Sequence, residues 1–221
     1  MSPLPLGRVL QGDCVQVMRT LPAGSVDLII TDPPYLVRYR DRNGRTVAND
    51  DNGDWLQPAF AQMHRLLKSG GLCVSFSGWN EIAQFAEAWR LAGFQIVGHM
   101  VFRKEYASST RYLKHHHEQA YLLAKGNAPY PSHPLPDVMP WDYTGNRLHP
   151  TQKPVRPLKD LVKAFSRPGD VVLDPFCGSG STLVAAKALG RRPIGIELND
   201  RHCFTAAMRV QTMLLDQVAS A

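Results

Sequence analysis

Residues 171 to 189 constrain this chain more than any other stretch. An apolar run, Val171 to Leu173, leads into Asp174-Pro175-Phe176-Cys177-Gly178-Ser179-Gly180, and Ser181-Thr182 then open a helical segment that reaches about Leu189. A strand that turns through glycines into a helix is half of a βαβ unit and belongs in an α/β sheet. Glycines let the backbone approach a ligand closely, and the first turn of a helix offers free N–H groups. The phosphate-loop pattern G-x-x-x-x-G-K-[ST] is absent, because Ser181-Thr182 follow Gly180 directly. The dinucleotide pattern G-x-G-x-x-G is also incomplete, since Leu183 stands at the place of its third glycine. The next apolar run, Pro193 to Ile196, ends on Glu197, 23 residues after Asp174. An acidic side chain there can accept hydrogen bonds from both hydroxyls of a ribose.

A second segment points to chemistry. The buried strand expected at Val26 to Ile30 runs into Thr31-Asp32-Pro33-Pro34-Tyr35. Consecutive prolines fix the backbone and lack N–H donors, so their carbonyls stay free to face a ligand. The Asp32 carboxylate and the Pro33 carbonyl can both accept from a planar amine, and Tyr35 offers a ring for stacking. Alone, the segment also fits an ordinary strand-ending turn.

Between these segments, apolar runs alternate with helical periodicity, the mark of a sheet covered on both faces. Leu56, Phe60, Met63 and Leu67 predict a helix with Asp54 as N-cap, stopped by Ser69-Gly70-Gly71. A strand at Leu72 to Phe76 follows, then a helix through Ile82, Phe85, Ala86 and Trp89 that Gly93 ends. Phe94 to Phe102 and Gln119 to Ala124 read as strands, and Leu158, Leu161, Val162 and Phe165 as one face of a helix. Ala128 to Pro150 has no clear period and reads as an irregular insertion. The last helix carries Cys203, Ala207, Val210 and Leu214 on one face. The length of 221 residues fits a single domain, 1–221.

The net charge of +6 suits a polyanionic partner. Its distribution is more informative. Arg38, Arg40, Arg42 and Arg45 crowd one segment, and Arg103, Lys104, Arg111 and Lys114 another, each just after an expected strand end. Both clusters are read as a nucleic-acid-facing surface. The four cysteines are scattered and form no C-x-x-C pair, so neither a disulfide framework nor a zinc knuckle is indicated. Adjacent histidines at 115 to 117 point to alternate faces of a strand, and no metal is expected. No apolar run is long enough to span a bilayer, and Met1 to Gln11 lacks a secretion signal, so a cytoplasmic protein is expected.

Taken together, Asp32-Pro33-Pro34-Tyr35, the Asp174 to Thr182 turn and Glu197 resemble the DNA amino-methyltransferases. These enzymes move a methyl group from S-adenosylmethionine (SAM) to an exocyclic nitrogen of adenine or cytosine. The catalytic segment precedes the glycine turn, which resembles the circularly permuted β-group, and the resemblance runs from Gly12 to about Asn199. It implies a class I, Rossmann-like, mostly parallel seven-stranded sheet with helices on both faces. The catalytic half would span about 8–127, a short recognition insertion about 128–148, and the cofactor half about 149–217.

The resemblance also implies roles. Asp32, Pro33, Pro34 and Tyr35 form the catalytic wall. Asp13 and Cys14, with Asp174, Pro175, Phe176, Gly178, Ser179, Gly180, Thr182, Glu197 and Leu198, hold SAM, and Asp13 accepts from the adenine amino group unless it merely caps the next turn. Thr151 and Lys153, in His149-Pro150-Thr151-Gln152-Lys153-Pro154, bind the methionine carboxylate. A leading Asp is most often associated with adenine N6; cytosine N4 is the alternative, and a non-catalytic nucleic-acid-binding module a third reading. The target base is flipped out of double-stranded DNA, so association with the nucleoid follows. Family analogy adds a homodimer and a cognate restriction endonuclease as candidate partners.

Overall fold

The computed structural model describes residues 3–40, 44, 46–108, 112–145, 148–149 and 151–218. Among them the chain runs β1 (Arg8–Gln11), α1 (Cys14–Thr20), β2 (Val26–Thr31), α2 (Leu56–Leu66), β3 (Leu67–Phe76), α3 (Ile82–Ala92) and β4 (Gln95–Lys104). It continues through β5 (His117–Ala124), β6 (Val138–Trp141), α4 (Val155–Phe165), β7 (Val171–Asp174), α5 (Ser181–Ala188), β8 (Arg192–Glu197) and α6 (Asp200–Val218).

The strands form one eight-stranded sheet in the order β1-β8-β7-β2-β3-β5-β4-β6. Every pairing is parallel except the two made by β5, which runs against β3 and β4. The central strands read as continuous apolar runs because both faces are covered. In β2, Leu28 and Ile30 pack with Val74, Val172, Leu158 and Leu161, on the side of α4 and α5. Ile29 points the other way, into a core with Met18, Phe60, Phe85 and Trp89 from α1, α2 and α3. Period two in the strand thus feeds two separate cores. Phe60 meets Phe85, Trp89 and Phe94 edge-on at 6.4, 6.0 and 6.4 Å.

Eight strands replace the seven expected. The additional one is β6, inside the segment read as irregular. Met139 and Trp141 are buried and Val138 and Pro140 exposed, so four residues alternate on an edge where a proline is tolerated. Asp54 does not cap α2: the N-cap is Trp55, and no side chain supplies the cap bond. Ser69-Gly70-Gly71 does not separate helix from strand. β3 starts at Leu67 opposite Val26 and resumes at Leu72 opposite Leu28, so the glycines form an irregularity within the strand. Among the described side chains of α6 the buried ones are Ala206 and Val210, while Cys203 and Ala207 are half-buried; the Leu214 side chain lies outside those described. Among the described residues no helix is long and apolar enough to cross a membrane.

Candidate active site

The sheet order reverses between β7 and β2. From β2 the chain moves outward to β3, and from β7 to β8 on the opposite side. Such a switch opens a crevice beyond the carboxyl ends of the strands, where α/β folds place ligands. Asp32 follows β2 and Asp174 ends β7, one on each side of this point. Both line one continuous cleft with Asp13, Tyr35, Glu197 and Lys153.

On the β2 side, Asp32 carries a dense set of contacts. Tyr35 Oη donates to its Oδ1 at 2.8 Å, and Lys153 Nζ lies 2.9 Å from the same oxygen. Lys153 also donates to Tyr35 Oη at 3.2 Å. Among the described residues both side-chain partners of Asp32 use Oδ1, which leaves Oδ2 for a ligand. The Lys153 ammonium sits 5.2, 5.3 and 5.9 Å from the ring centres of Tyr35, Phe76 and Trp141, within cation–π range. Burial pushes the Asp32 carboxyl up, opposed by Lys153 and by its bond from Tyr35. Burial alone would lower Lys153, but the Asp32 and Glu118 carboxylates raise it above its ordinary value. Lys153, expected at a cofactor carboxylate, lies in this structure against Asp32 and Tyr35.

On the β7 side, the glycine turn is tied down from two directions. Gly178 N–H donates to Glu197 Oε2 at 2.8 Å, and Asn199 N–H donates to Oε1 at 2.8 Å, so one carboxylate joins the ends of two loops. Gly180 has φ +82°, and a Cβ there would lie 2.9 Å from the Cβ of Ala206 on α6. Arg209, also on α6, donates to the Ser179 carbonyl and hydroxyl. Asp13 caps α1 by accepting from Gln16 N–H at 2.9 Å, and it lines the cleft as well. The Cys14 thiol is pushed up to about 12 by burial, with Asp13 adding to the shift. Thr151 is engaged with His149, whose Nδ1 lies 3.2 Å from its hydroxyl. Pro175, Phe176, Ser179, Thr182 and the half-exposed Leu198 border the same cleft.

Asp174 carries a pH signature. Burial raises its carboxyl to about 7; bonds from Thr182 and Phe176 oppose the shift, and the Asp32 and Glu197 charges add to it. An unfolded chain releases this proton near the ordinary value of 3.8. Between about 4 and about 7 the folded form therefore holds more protons, and stability falls as pH rises, levelling off above the folded value. Asp174→Asn keeps the acceptor oxygen but removes the titration. Urea titrations from pH 4 to 8 are expected to show a shallower loss of stability in this variant than in the unaltered chain. Parallel curves would assign the dependence to other groups.

The basic residues separate. Arg38, Arg40, Arg103 and Lys114 are exposed, and Arg103 pairs with Glu105 at 2.7 Å. Arg42, Arg45 and Arg111 lie outside the described residues. Lys104 is corrected: its side chain is 1% exposed and bonds Glu118 Oε1 at 2.6 Å. Neighbours along a strand face opposite ways, so Arg103 points out while Lys104 joins Met100 and Phe102 inside. Among the described residues no group of three or more metal-ligating side chains occurs.

Several cleft residues had escaped the sequence reading. Asp50, 3% exposed, accepts from Val37 N–H at 3.3 Å and Tyr39 N–H at 2.6 Å, folding the arginine segment around one carboxylate. Ser77 borders the cleft with a buried hydroxyl that has no partner among the described residues. Trp79, 62% exposed at the cleft mouth, stacks on the His115 ring at 5.8 Å.

Known proteins share the sequence and the fold of this chain. A family model described as DNA methylase matches residues 26–208. YubD of Escherichia coli (strain K12) is 55% identical over 197 residues, 89% of this chain and 87% of that protein. The DNA adenine methyltransferase YhdJ of the same organism is 32% identical over 237 residues, 88% of this chain and 79% of that one. The crystal structure of the M1.HpyAVI–SAM complex superposes with a TM-score of 0.73 at 25% identity, covering 92% of this chain and 98% of that one. With its strand-end carboxylate and its glycine turn facing each other across one cleft, this chain belongs to the DNA methylase family.

Proposed function

We propose that this protein methylates the exocyclic N6 of adenine in double-stranded DNA, with SAM as methyl donor. The carrying observation is Asp32: a half-buried carboxylate lining the cleft, with Oδ1 held by Tyr35 and Lys153 and no side-chain partner on Oδ2 among the described residues. The amine of adenine is conjugated with its ring and is a poor nucleophile. Asp32 Oδ2 and the Pro33 carbonyl would accept its two N–H groups and turn its lone pair out of conjugation. As the nitrogen becomes cationic, the Asp32 charge stabilises it; the proton turns acidic only then, so no strong base is needed beforehand. Tyr35 supplies the ring against which the base lies. The base is reachable only once flipped out of the duplex or already unpaired.

The residues opposite fit SAM, which supplies an electrophilic methyl group when bound. Gly178 borders the cleft without a side chain, while Gly180 packs against α6 too closely to admit a Cβ. Glu197 accepts one backbone bond on each oxygen and retains lone pairs for a diol. Asp13, Cys14, Thr151 and Asp174 complete this half. Catalytic strand first and glycine turn last is a circular permutation of the class I methyltransferase order, and the same sheet forms wherever the chain is cut.

Nucleoside mass spectrometry tests the reading. The protein is incubated with SAM and unmethylated genomic DNA, and the DNA is digested. N6-methyldeoxyadenosine is the expected product. N4-methyldeoxycytidine would overturn the choice of base, and SAM binding with no methylated nucleoside would overturn DNA as the substrate. Exposed Arg38, Arg40, Arg103 and Lys114 are expected to touch phosphates. Duplex affinity should then fall steeply with salt, and each Arg→Ala should reduce the log–log salt slope by roughly 1. A fluorescence-anisotropy titration with a salt-independent Kd would remove the arginines from the interface.

A further inference from the structure

Two ion pairs line one cleft at the carboxyl edge of the sheet, where Lys104 lies in register with Trp141 and the Lys153 ammonium sits 5.9 Å from the Trp141 ring, and one of the pairs has no part in the mechanism above. Lys153 pairs with Asp32 at 2.9 Å, and Lys104 pairs with Glu118 at 2.6 Å. Their side chains are 12, 20, 1 and 25% exposed, so all four lie largely out of water. The strands impose this arrangement. Asp32 follows β2, Lys104 ends β4, and Glu118 lies at the start of antiparallel β5, which brings it to the same edge. Glu118 and Lys104 line the same cleft as Asp32 and Lys153.

The two pairs act on each other. Burial pushes the Glu118 carboxyl up, but the charges of Lys153 and Lys104, with the bond from Lys104, bring it below its ordinary value. Glu118 in turn follows Asp32 among the charges that raise Lys153. Glu118 is therefore bonded to one ammonium group and attracts a second that lines the same cleft.

Resting on the methyl-transfer reading above, we propose that Glu118 is a positioning residue of the site. Anchored by Lys104, it keeps Lys153 seated against Asp32 and holds the four charges at a net of zero where the target nitrogen becomes cationic. The need is electrostatic. Two lysines near a nitrogen that gains positive charge oppose its reaction, and Asp32 alone offsets only one of them. In a largely dry site such an imbalance is weakly screened. Glu118→Gln leaves the set at +1. Lys104→Met together with Glu118→Gln returns it to zero and replaces a buried ion pair by neutral groups, a change that folds commonly tolerate.

The test compares the unaltered chain, Glu118→Gln and the double variant. One readout is methylation of unmethylated DNA, with kcat and KM for SAM and DNA determined separately. The other needs no turnover: acetic anhydride labels neutral amines, and peptide mass spectrometry follows the rate at Lys153 in the free protein. Glu118→Gln is expected to lower kcat at least about tenfold with each KM within about twofold, and to speed labelling of Lys153. The double variant is expected to regain most of kcat and slow labelling. A purely structural role predicts the reverse order, with the double variant at least as impaired as the single one. A wild-type kcat in Glu118→Gln, or a double variant that recovers neither readout, overturns the proposal. Should Glu118→Gln not fold, the double variant decides by itself: near-wild-type kcat and slow labelling support charge balance, and a tenfold loss overturns it. If the unaltered chain methylates no DNA, the functional reading has failed, and the labelling rates still decide whether Glu118 seats Lys153.

Discussion

Asp32→Ala is expected to reduce methyl transfer by about three orders of magnitude or more, the scale seen when a group that stabilises developing charge is removed. On the proposed mechanism the variant removes the acceptor for the target amine. It also strips the Lys153 ammonium of its nearest carboxylate among the rings of Tyr35, Phe76 and Trp141. Deleting one member of a buried ion pair costs about 3–5 kcal/mol, and the partial exposure of this pair places it at the low end. Asp32→Asn separates the two effects. Its amide keeps an oxygen for Tyr35 or Lys153, so stability should largely return, while methylation stays low because the negative charge is gone. The measurements are methylated nucleoside per enzyme under single turnover, and urea unfolding. Activity in Asp32→Asn within about tenfold of the unaltered chain would show that charge at Asp32 is not what drives the reaction.

Gly180→Ala is expected to be strongly damaging for a single added methyl group. The residue sits at φ +82°, where a side chain costs about 1–2 kcal/mol. The added Cβ would also lie 2.9 Å from Ala206 Cβ and 3.1 Å from its Cα, and crowding of this kind adds about 1–3 kcal/mol. For a chain of this length the sum corresponds to a fall in Tm of roughly 5–15 °C. The turn and α6 must part to relieve the contact, which moves Ser179 off Arg209 and disturbs Gly178, the partner of Glu197. SAM affinity by calorimetry should fall along with Tm. An Ala206→Gly change in the same chain should restore part of the loss, since it removes the nearer obstructing atom. An unchanged Tm in Gly180→Ala would mean that α6 is not held against the turn.

Why some features could be read from the sequence and others not follows from the range of the interactions involved. β2, β7 and α5 announce themselves through local period and punctuation: Val26 to Ile30 is wholly apolar apart from Asp27, and Gly178-Ser179-Gly180 breaks the chain where the strand ends. The opposition of Asp32 and Asp174 needed only the pairing of β2 with β7. β6 was hidden because four residues with a proline carry no strand signal until β4 is beside them. Lys104 was legible in principle: the alternation Met100, Phe102, Lys104 already sets it inward, but charge invited a surface reading. Asp50 and Glu118 were not legible, since each acts on residues at the far end of a loop or on another strand. Lys153 shows the same limit. Its sequence neighbours tie it to the cofactor turn, while its ammonium reaches 118 positions back along the chain to Tyr35.

The edge strand β6 has a consequence for how copies of this protein can meet. The Asp137 carbonyl accepts from Val101 N–H, so in the parallel pairing Met139 and Trp141 turn their backbone groups toward β4 and Val138 and Pro140 turn theirs outward. One of those two outward residues has no N–H to give. A foreign strand laid along this margin would find a single donor where a ladder needs a row of them. β6 therefore ends the sheet as well as extending it. Copies of a DNA-modifying protein held close together along one DNA molecule would thus not zip their sheets together through this margin.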